Sequence, residues 1–143
     1  MDPQPRSSID RLLQEARRTY RRLVAEELPG AVRAGALLID TRPAEQRDRD
    51  GDLPGAIVVD RNVLEWRLDP TSPHRIAEPL EDRLTVVVCN EGYSSTLAAV
   101  SLRSLGVDAT DLVGGYQALR AGDLLRDLGE AAGPESAGVG THV

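Results

Sequence analysis

The chain is predicted to fold as an α/β domain around a largely parallel sheet, on three observations. Four short apolar runs, at 36–40, 56–60, 84–88 and 109–113, are each bounded by Gly, Pro or Asp, and they are continuous rather than alternating. Strands buried on both faces read this way. Helical patterns lie between the runs, and strand alternating with helix favours parallel pairing. Finally, 143 residues that are 41% hydrophobic, with 13 glycines, match the size and make-up of one globular core.

The first element is a helix expected over residues 8–22. Ile9, Leu12, Leu13, Ala16, Tyr20 and Leu23 recur at helical spacing, with Ser8 as the cap. Its other face is basic: Arg6, Arg11, Arg17, Arg18, Arg21 and Arg22 stand against Asp2, Asp10 and Glu15. That face is read as solvated, with a partner-binding or dimerising helix as the alternative. A helix is expected from Ser95 to Leu105, stopped by Gly106, and another from Tyr116 through Leu119 toward Leu125. Between 60 and 80 no clean pattern follows Leu68, and Pro70, Pro73 and Pro79 mark an excursion away from the sheet. From 131 onward the chain is rich in Gly, Ala and Ser without periodicity. The expected organisation is an N-terminal amphipathic helix over 1–22, a domain over 23–128 and a disordered tail over 129–143.

Composition narrows the function. The net charge is −6 and every cation except the histidines is arginine, which argues against a general nucleic-acid binder. No run approaches 18 apolar residues and the start is charged, so neither a membrane span nor a signal core is expected and the cytoplasm is the default location. The single cysteine, Cys89, excludes an intrachain disulfide, a CxxC pair and a multi-cysteine zinc site. His74 lies in the proline-bounded excursion and His142 in the tail, a poor basis for a Cys-His hydrolase. Asp48-Arg49-Asp50-Gly51-Asp52 lacks the closing glutamate of a calcium loop and is read as a solvated turn.

The chemistry is expected at Cys89. It follows Val86-Val87-Val88 directly and precedes Asn90-Glu91-Gly92-Tyr93-Ser94-Ser95, after which a helix begins. A thiol between a strand end and a helix start sits where unpaired N–H groups and the positive helix end favour the thiolate. Gly92 suits a left-handed or close-approach position, and Gly114-Gly115 a tight strand-to-helix turn.

These residues resemble the rhodanese family. Cys89, Gly92 and Ser95 match its Cys-x-x-Gly-x-Arg-Ser/Thr loop, and Asp40-Thr41-Arg42 is similar to its Asp-x-Arg motif. Leu53-Pro54-Gly55-Ala56 resembles its Ile-Pro-Gly-Ala turn, and Leu112-Val113-Gly114-Gly115-Tyr116-Gln117-Ala118-Leu119 its Gly-Gly-aromatic segment. The resemblance implies a parallel sheet flanked by helices on both faces. It also implies a sulfurtransferase in which Cys89 takes sulfane sulfur from a small or protein-bound donor, carries it as a persulfide and passes it to a thiol-type acceptor. The backbone of Asn90 to Ser95 would cradle that sulfur. The resemblance implies no metal or organic cofactor.

One departure bears on substrate. The family's loop arginine falls at Ser94, and the arginine of the longer loop in cysteine phosphatases would fall at Ser95. Phosphatase chemistry is therefore disfavoured for want of a bidentate clamp. Glu91 adds a like charge, which at 4–5 Å and an effective dielectric near 20 opposes a dianion by roughly 3–4 kcal/mol before screening. Poor thiosulfate activity is expected, and the alternative class is a weakly active or inactive binding or sulfur-sensing module. Arg61 or Arg67 is expected to supply the missing cation, and Trp66 to anchor the core or the cleft wall. Asp40 and Arg42 are read as a structural pair, and Ser95 as both helix cap and thiolate donor, with Ser94 in a similar role.

Overall fold

A computed structural model describes residues 7–133. Its elements are α1 (Ser8–Arg17), α2 (Leu28–Arg33), β1 (Leu37–Asp40), α3 (Ala44–Asp50), β2 (Ile57–Val58), α4 (Leu64–Leu68), β3 (Thr85–Val88), α5 (Ser94–Ser104), β4 (Ala109–Asp111), α6 (Gly115–Ala121) and α7 (Leu125–Ala132), with short 3-10 turns before α2 and α4. The four strands form one parallel sheet in the order β2-β1-β3-β4. All four predicted strands are present, β2 shortened at both ends and the others at one.

The sheet is buried on both sides, and the two-residue period of a strand divides its side chains between two cores. Leu37, Ile39 and Val87 face Leu64 and Leu68 of α4 and Ala98, Ala99 and Leu102 of α5. Leu38, Val86 and Val88 face Leu28 of α2, Tyr116 and Leu119 of α6 and Leu128 of α7. Each such Leu, Ile or Val withdraws a side chain worth at most about 1.5–3 kcal/mol from water, which is why these runs contain no polar break. Among the described residues no helix is long and apolar enough to cross a membrane.

Several boundaries differ from the sequence reading. Ser7, not Ser8, caps α1, accepting from the Asp10 N–H at 3.1 Å. The helix stops at Arg17 rather than 22 because Leu23 is claimed by the sheet: it forms a parallel bridge to Leu112, with Leu23 N–H donating to the Asp111 carbonyl at 3.1 Å. Thr19 ends the helix by donating its hydroxyl to the Ala16 carbonyl at 2.7 Å. Helix α1 packs on α5 through Leu13, but Ile9 and Leu12 stay half-exposed while Arg17 and Arg22 turn inward. The expected solvated arginine face is thus only partly solvated.

Helices α2 and α3 are too short to show periodicity, and Gly122 with Asp123, at φ 55°, separates α6 from α7 where one helix was expected to run on. Helix α7 extends to Ala132, so residues 129–132 belong to the domain and not to a tail. Arg6, His142 and the rest of the expected tail lie outside the described residues.

The β1–β3 register sets up the site. Asp40 pairs with Val88, so Thr41 and Arg42 emerge beside Cys89 at the carboxyl edge of the sheet. Parallel α/β folds open their clefts at that edge.

Candidate active site

Cys89 is the first residue past β3, and its loop turns back so that the Gly92 N–H donates to Sγ at 3.2 Å. The loop is held from beneath through its carbonyls. Cys89 and Asn90 carbonyls accept from the N–H groups of Tyr116 and Gln117 at the start of α6, at 2.9 and 3.1 Å. The Gly92 carbonyl accepts from Nη2 of Arg17 at 2.8 Å and Nη2 of Arg22 at 2.9 Å. With the carbonyls occupied below, N–H groups are left for the sulfur.

Two glycines make this fit. Gly92 has φ 88°, and a Cβ there would come within 2.8–2.9 Å of Gly114 N and the Leu112 carbonyl. Gly115 has φ 59°, and a Cβ there would strike the Cys89 carbonyl, with Gly92 N at 2.8 Å and Asn90 C at 2.9 Å. The Gly-Gly turn is therefore more than a chain reversal: it is the floor of the cysteine loop.

Cys89 is only 6% exposed, yet its sulfur is not sealed in apolar packing, because the residue lines a cleft of about 340 Å³. Asn90, Glu91, Tyr93 and Ser94 line the cleft from the loop, and Thr41, Arg42, Pro43 and Gln46 from the end of β1 and the start of α3. Burial pushes the thiol up, but donors at Ser95, Ser94 and Gly92 outweigh it and hold the thiol below its usual range. Ser95 does not cap α5, whose N-terminus has no side-chain cap. Its single hydroxyl proton is directed at Asp111 Oδ2, 2.8 Å away, which leaves the exposed Ser94 hydroxyl as the freer donor to sulfur.

Behind the loop lies a buried polar cluster that was not read from the sequence. Asp111, fully buried on β4, accepts from Tyr20 Oη at 2.7 Å, Arg22 Nε at 2.8 Å, Ser95 Oγ at 2.8 Å and Thr96 Oγ1 at 3.1 Å. Arg17 Nε in turn donates to Thr96 Oγ1 at 3.1 Å. Burial pushes the Asp111 carboxyl up, but the bonds from Arg22 and Tyr20 prevail and hold it below its ordinary value. Burial and the Asp111 carboxylate raise the Tyr20 phenol. The available signal was Asp111 itself, because an acid inside an apolar strand run needs a partner.

Asp40 and Arg42 form a buried pair beside the cleft, with Nη2 to Oδ2 at 2.9 Å. Arg42 Nη2 also donates to the Gly51 carbonyl at 2.9 Å, tying down the loop after α3. The guanidinium lies over the Tyr116 ring, 3.7 Å from its centre, and the ring face offsets part of the cost of leaving Nη1 buried without a hydrogen-bond partner. Its charge is neutralised by Asp40.

Arg61 and Arg67 do not reach the cleft. Arg61 pairs with Glu65 at 3.0 Å across one turn, and Arg67 Nη1 donates to the His74 carbonyl at 2.8 Å, so neither supplies the missing cation. Trp66 is 57% exposed on α4 and anchors neither the core nor the cleft wall. Helix α4 directs Leu64 and Leu68 into the core, and that rotation turns the intervening Trp66 to the surface.

The fold and this loop define a class of α/β protein with one buried-edge cysteine held at the mouth of a parallel sheet. The family model for the rhodanese-like domain matches residues 24–121, and the chain belongs to that family. Among solved structures, a Rhodopseudomonas palustris protein described as a possible tyrosine phosphatase is 28% identical over 86% of this chain and 96% of its own, with a TM-score of 0.73. A rhodanese homologue from Thermus thermophilus is 30% identical over 68% and 99%, with a TM-score of 0.52. The human single-domain sulfurtransferase is 27% identical over 71% and 96%, with a TM-score of 0.60. A comparison with curated proteins found none that matches.

Proposed function

We propose that the protein is a sulfurtransferase that relays sulfane sulfur through Cys89, with a persulfide as the preferred donor. The observation that carries this is Cys89 lining an open cleft, with its Sγ accepting the Gly92 N–H at 3.2 Å and its thiol held below the usual range.

In the first step the Cys89 thiolate attacks the outer sulfur of a donor R–S–SH. A bond forms between Sγ and that sulfur, the R–S bond to it breaks, and R–S⁻ leaves and takes up the proton. In the second, an acceptor thiolate attacks the outer sulfur of the Cys89 persulfide, and the Cys89 thiolate departs regenerated. The N–H groups of the loop serve both the thiolate and the anionic persulfide, so one cradle suits both states. Thiosulfate fits less well. Glu91 stands exposed on the cleft, and Arg42, the one arginine lining it among the described residues, has its guanidinium buried and paired with Asp40.

The phosphatase description of the R. palustris neighbour does not carry over well. At the position where a cysteine phosphatase has its arginine, Ser95 points inward to Asp111 and offers nothing to transferring phosphoryl oxygens.

The test is intact-mass measurement after exposure to a low-molecular-weight persulfide. The reading requires a gain of about 32 Da that is absent in Cys89→Ser and discharged by an added thiol with repeated turnover. An adduct that no thiol removes would place the protein with sensing modules, and faster turnover with thiosulfate than with the persulfide would contradict the donor preference.

A further inference from the structure

Two guanidinium groups and one carboxylate meet beneath the cysteine loop. Arg17 and Arg22 both end on the Gly92 carbonyl, while Asp111 pairs with Arg22 alone at 2.8 Å. Among the described residues no carboxylate lies within salt-bridge distance of Arg17, whose side chain instead donates to Thr96 Oγ1. Guanidinium groups stay protonated at any working pH, so the cluster leaves one uncompensated positive charge against the underside of the loop. The path from Sγ through Gly92 to either guanidinium spans less than about 10 Å. Both arginines also lie outside residues 24–121, the part of the chain that the family model covers.

We propose that Arg17 and Arg22, from the N-terminal segment, are positioning residues that replace the absent loop arginine, holding Gly92 and supplying from behind the positive charge that keeps Cys89 ionised. The proposal rests on Cys89 being the nucleophile. It makes the N-terminal segment part of the site instead of a separate helix. It also accounts for the burial of Asp111, which aligns Arg22 and receives the Ser95 and Thr96 hydroxyls in the first turn of α5.

The other charged or titratable groups around the sulfur do not supply this charge. Glu91 and Tyr93 in the loop and Asp111 on β4 are acids. The Asp40–Arg42 pair off β1 is neutral as a unit. On the α6 side Tyr116 is an uncharged phenol, and Asp50, bonded to Gln117, is paired with both Arg49 and Arg120, whose side chains are more than half exposed and so are screened by solvent. Tyr20 is committed to Asp111. A unit charge at up to about 10 Å and an effective dielectric near 20 moves a thiol by about one pKa unit, and partial solvent screening of Arg17 lowers this to about half a unit.

Cys89 is the chain's only cysteine, so alkylation by iodoacetamide reports on it alone. The experiment compares the pH profile of that reaction in the full chain with Arg17→Gln, Arg17→Lys and Arg22→Gln, each checked for folding by thermal denaturation. Arg17→Gln is the decisive variant, since it leaves the Asp111–Arg22 pair intact, whereas Arg22→Gln strands a buried carboxylate and can unfold the domain. The expected result is a profile shifted upward by about half to one unit in Arg17→Gln, a roughly three- to tenfold slower reaction on the acid limb, and recovery of most of it in Arg17→Lys. A folded Arg17→Gln protein with the parental profile, or an Arg17→Lys profile no better than that of Arg17→Gln, overturns the proposal. Because alkylation needs no sulfur donor, that outcome would leave sulfur transfer standing. Failure to form a persulfide in the unsubstituted protein would instead remove the transfer reading and leave this one.

Discussion

Asp111→Asn should be among the most damaging isosteric changes in this protein, and the structure sets its size. Four groups donate five hydrogen bonds to the two carboxylate oxygens: Tyr20 and Arg22 Nε to Oδ1, and Ser95, Thr96 and Arg22 Nη2 to Oδ2. An amide keeps one acceptor oxygen and turns an NH2 toward the remaining donors. The Ser95 and Thr96 hydroxyls can rotate to accept from it, but a guanidinium cannot, so Arg22 loses both its counter-charge and one partner. For a largely buried guanidinium against a buried site this costs about 2–4 kcal/mol. In a domain of this size that corresponds to a melting point lower by about 5–15 °C. The effect also has a pH signature. The folded carboxyl lies below its ordinary value, so its contribution is complete above the unfolded pKa of about 3.9 and is lost as pH falls through the folded value, where the unfolded chain binds the extra proton. Thermal denaturation from pH 7 down to acid should therefore show a steep acid limb in the parent and a flatter one in Asp111→Asn. A variant that melts within about 2 °C of the parent, with a superimposable acid limb, would mean that the cluster does not hold the loop and the α5 start together.

Two further predictions concern the loop floor and the discarded cations. Gly115→Ala puts a methyl group against the Cys89 and Asn90 backbone and forces φ 59° on an alanine, so it should cost about 2 kcal/mol or more and slow Cys89 alkylation; urea denaturation and alkylation rates both read it, and parental values for both would refute the close packing. Arg61→Ala and Arg67→Ala should change persulfide turnover less than twofold, since one arginine serves Glu65 and the other a carbonyl in the α4–β3 excursion; a tenfold loss in either would return that segment to the site.

The strands and the cysteine were legible in the sequence because their causes are local. A run such as 84–88 is buried on both faces and can hardly be anything but a central strand, and a cysteine that follows it into a glycine-containing turn must emerge at the sheet edge. The match of Asp40-Thr41-Arg42 and Gly114-Gly115 to family motifs is equally a matter of adjacent residues. Arg61, Arg67 and Trp66 misled because helical spacing fixes the relative directions of side chains but not the rotation of a short helix on its neighbours, and burial of Leu64 and Leu68 decided that rotation. Helices α2 and α3, at six and seven residues, offer too few turns for any period to appear.

The sequence by itself determined the sheet, the order of its strands along the chain and the place of the thiol, since each follows from the polarity and conformational limits of residues a few positions apart. Only the tertiary structure decided which cations serve that thiol. Arg17 and Arg22 are separated from Gly92 by 75 and 70 residues, and from Thr96 and Asp111 by 79 and 89. Nothing in their own neighbourhood distinguishes them from the other arginines of the segment. They are selected because Leu23 joins the edge of β4 and carries the preceding turn under the loop, where a buried carboxylate takes a counter-charge and the Gly92 carbonyl takes their N–H donors.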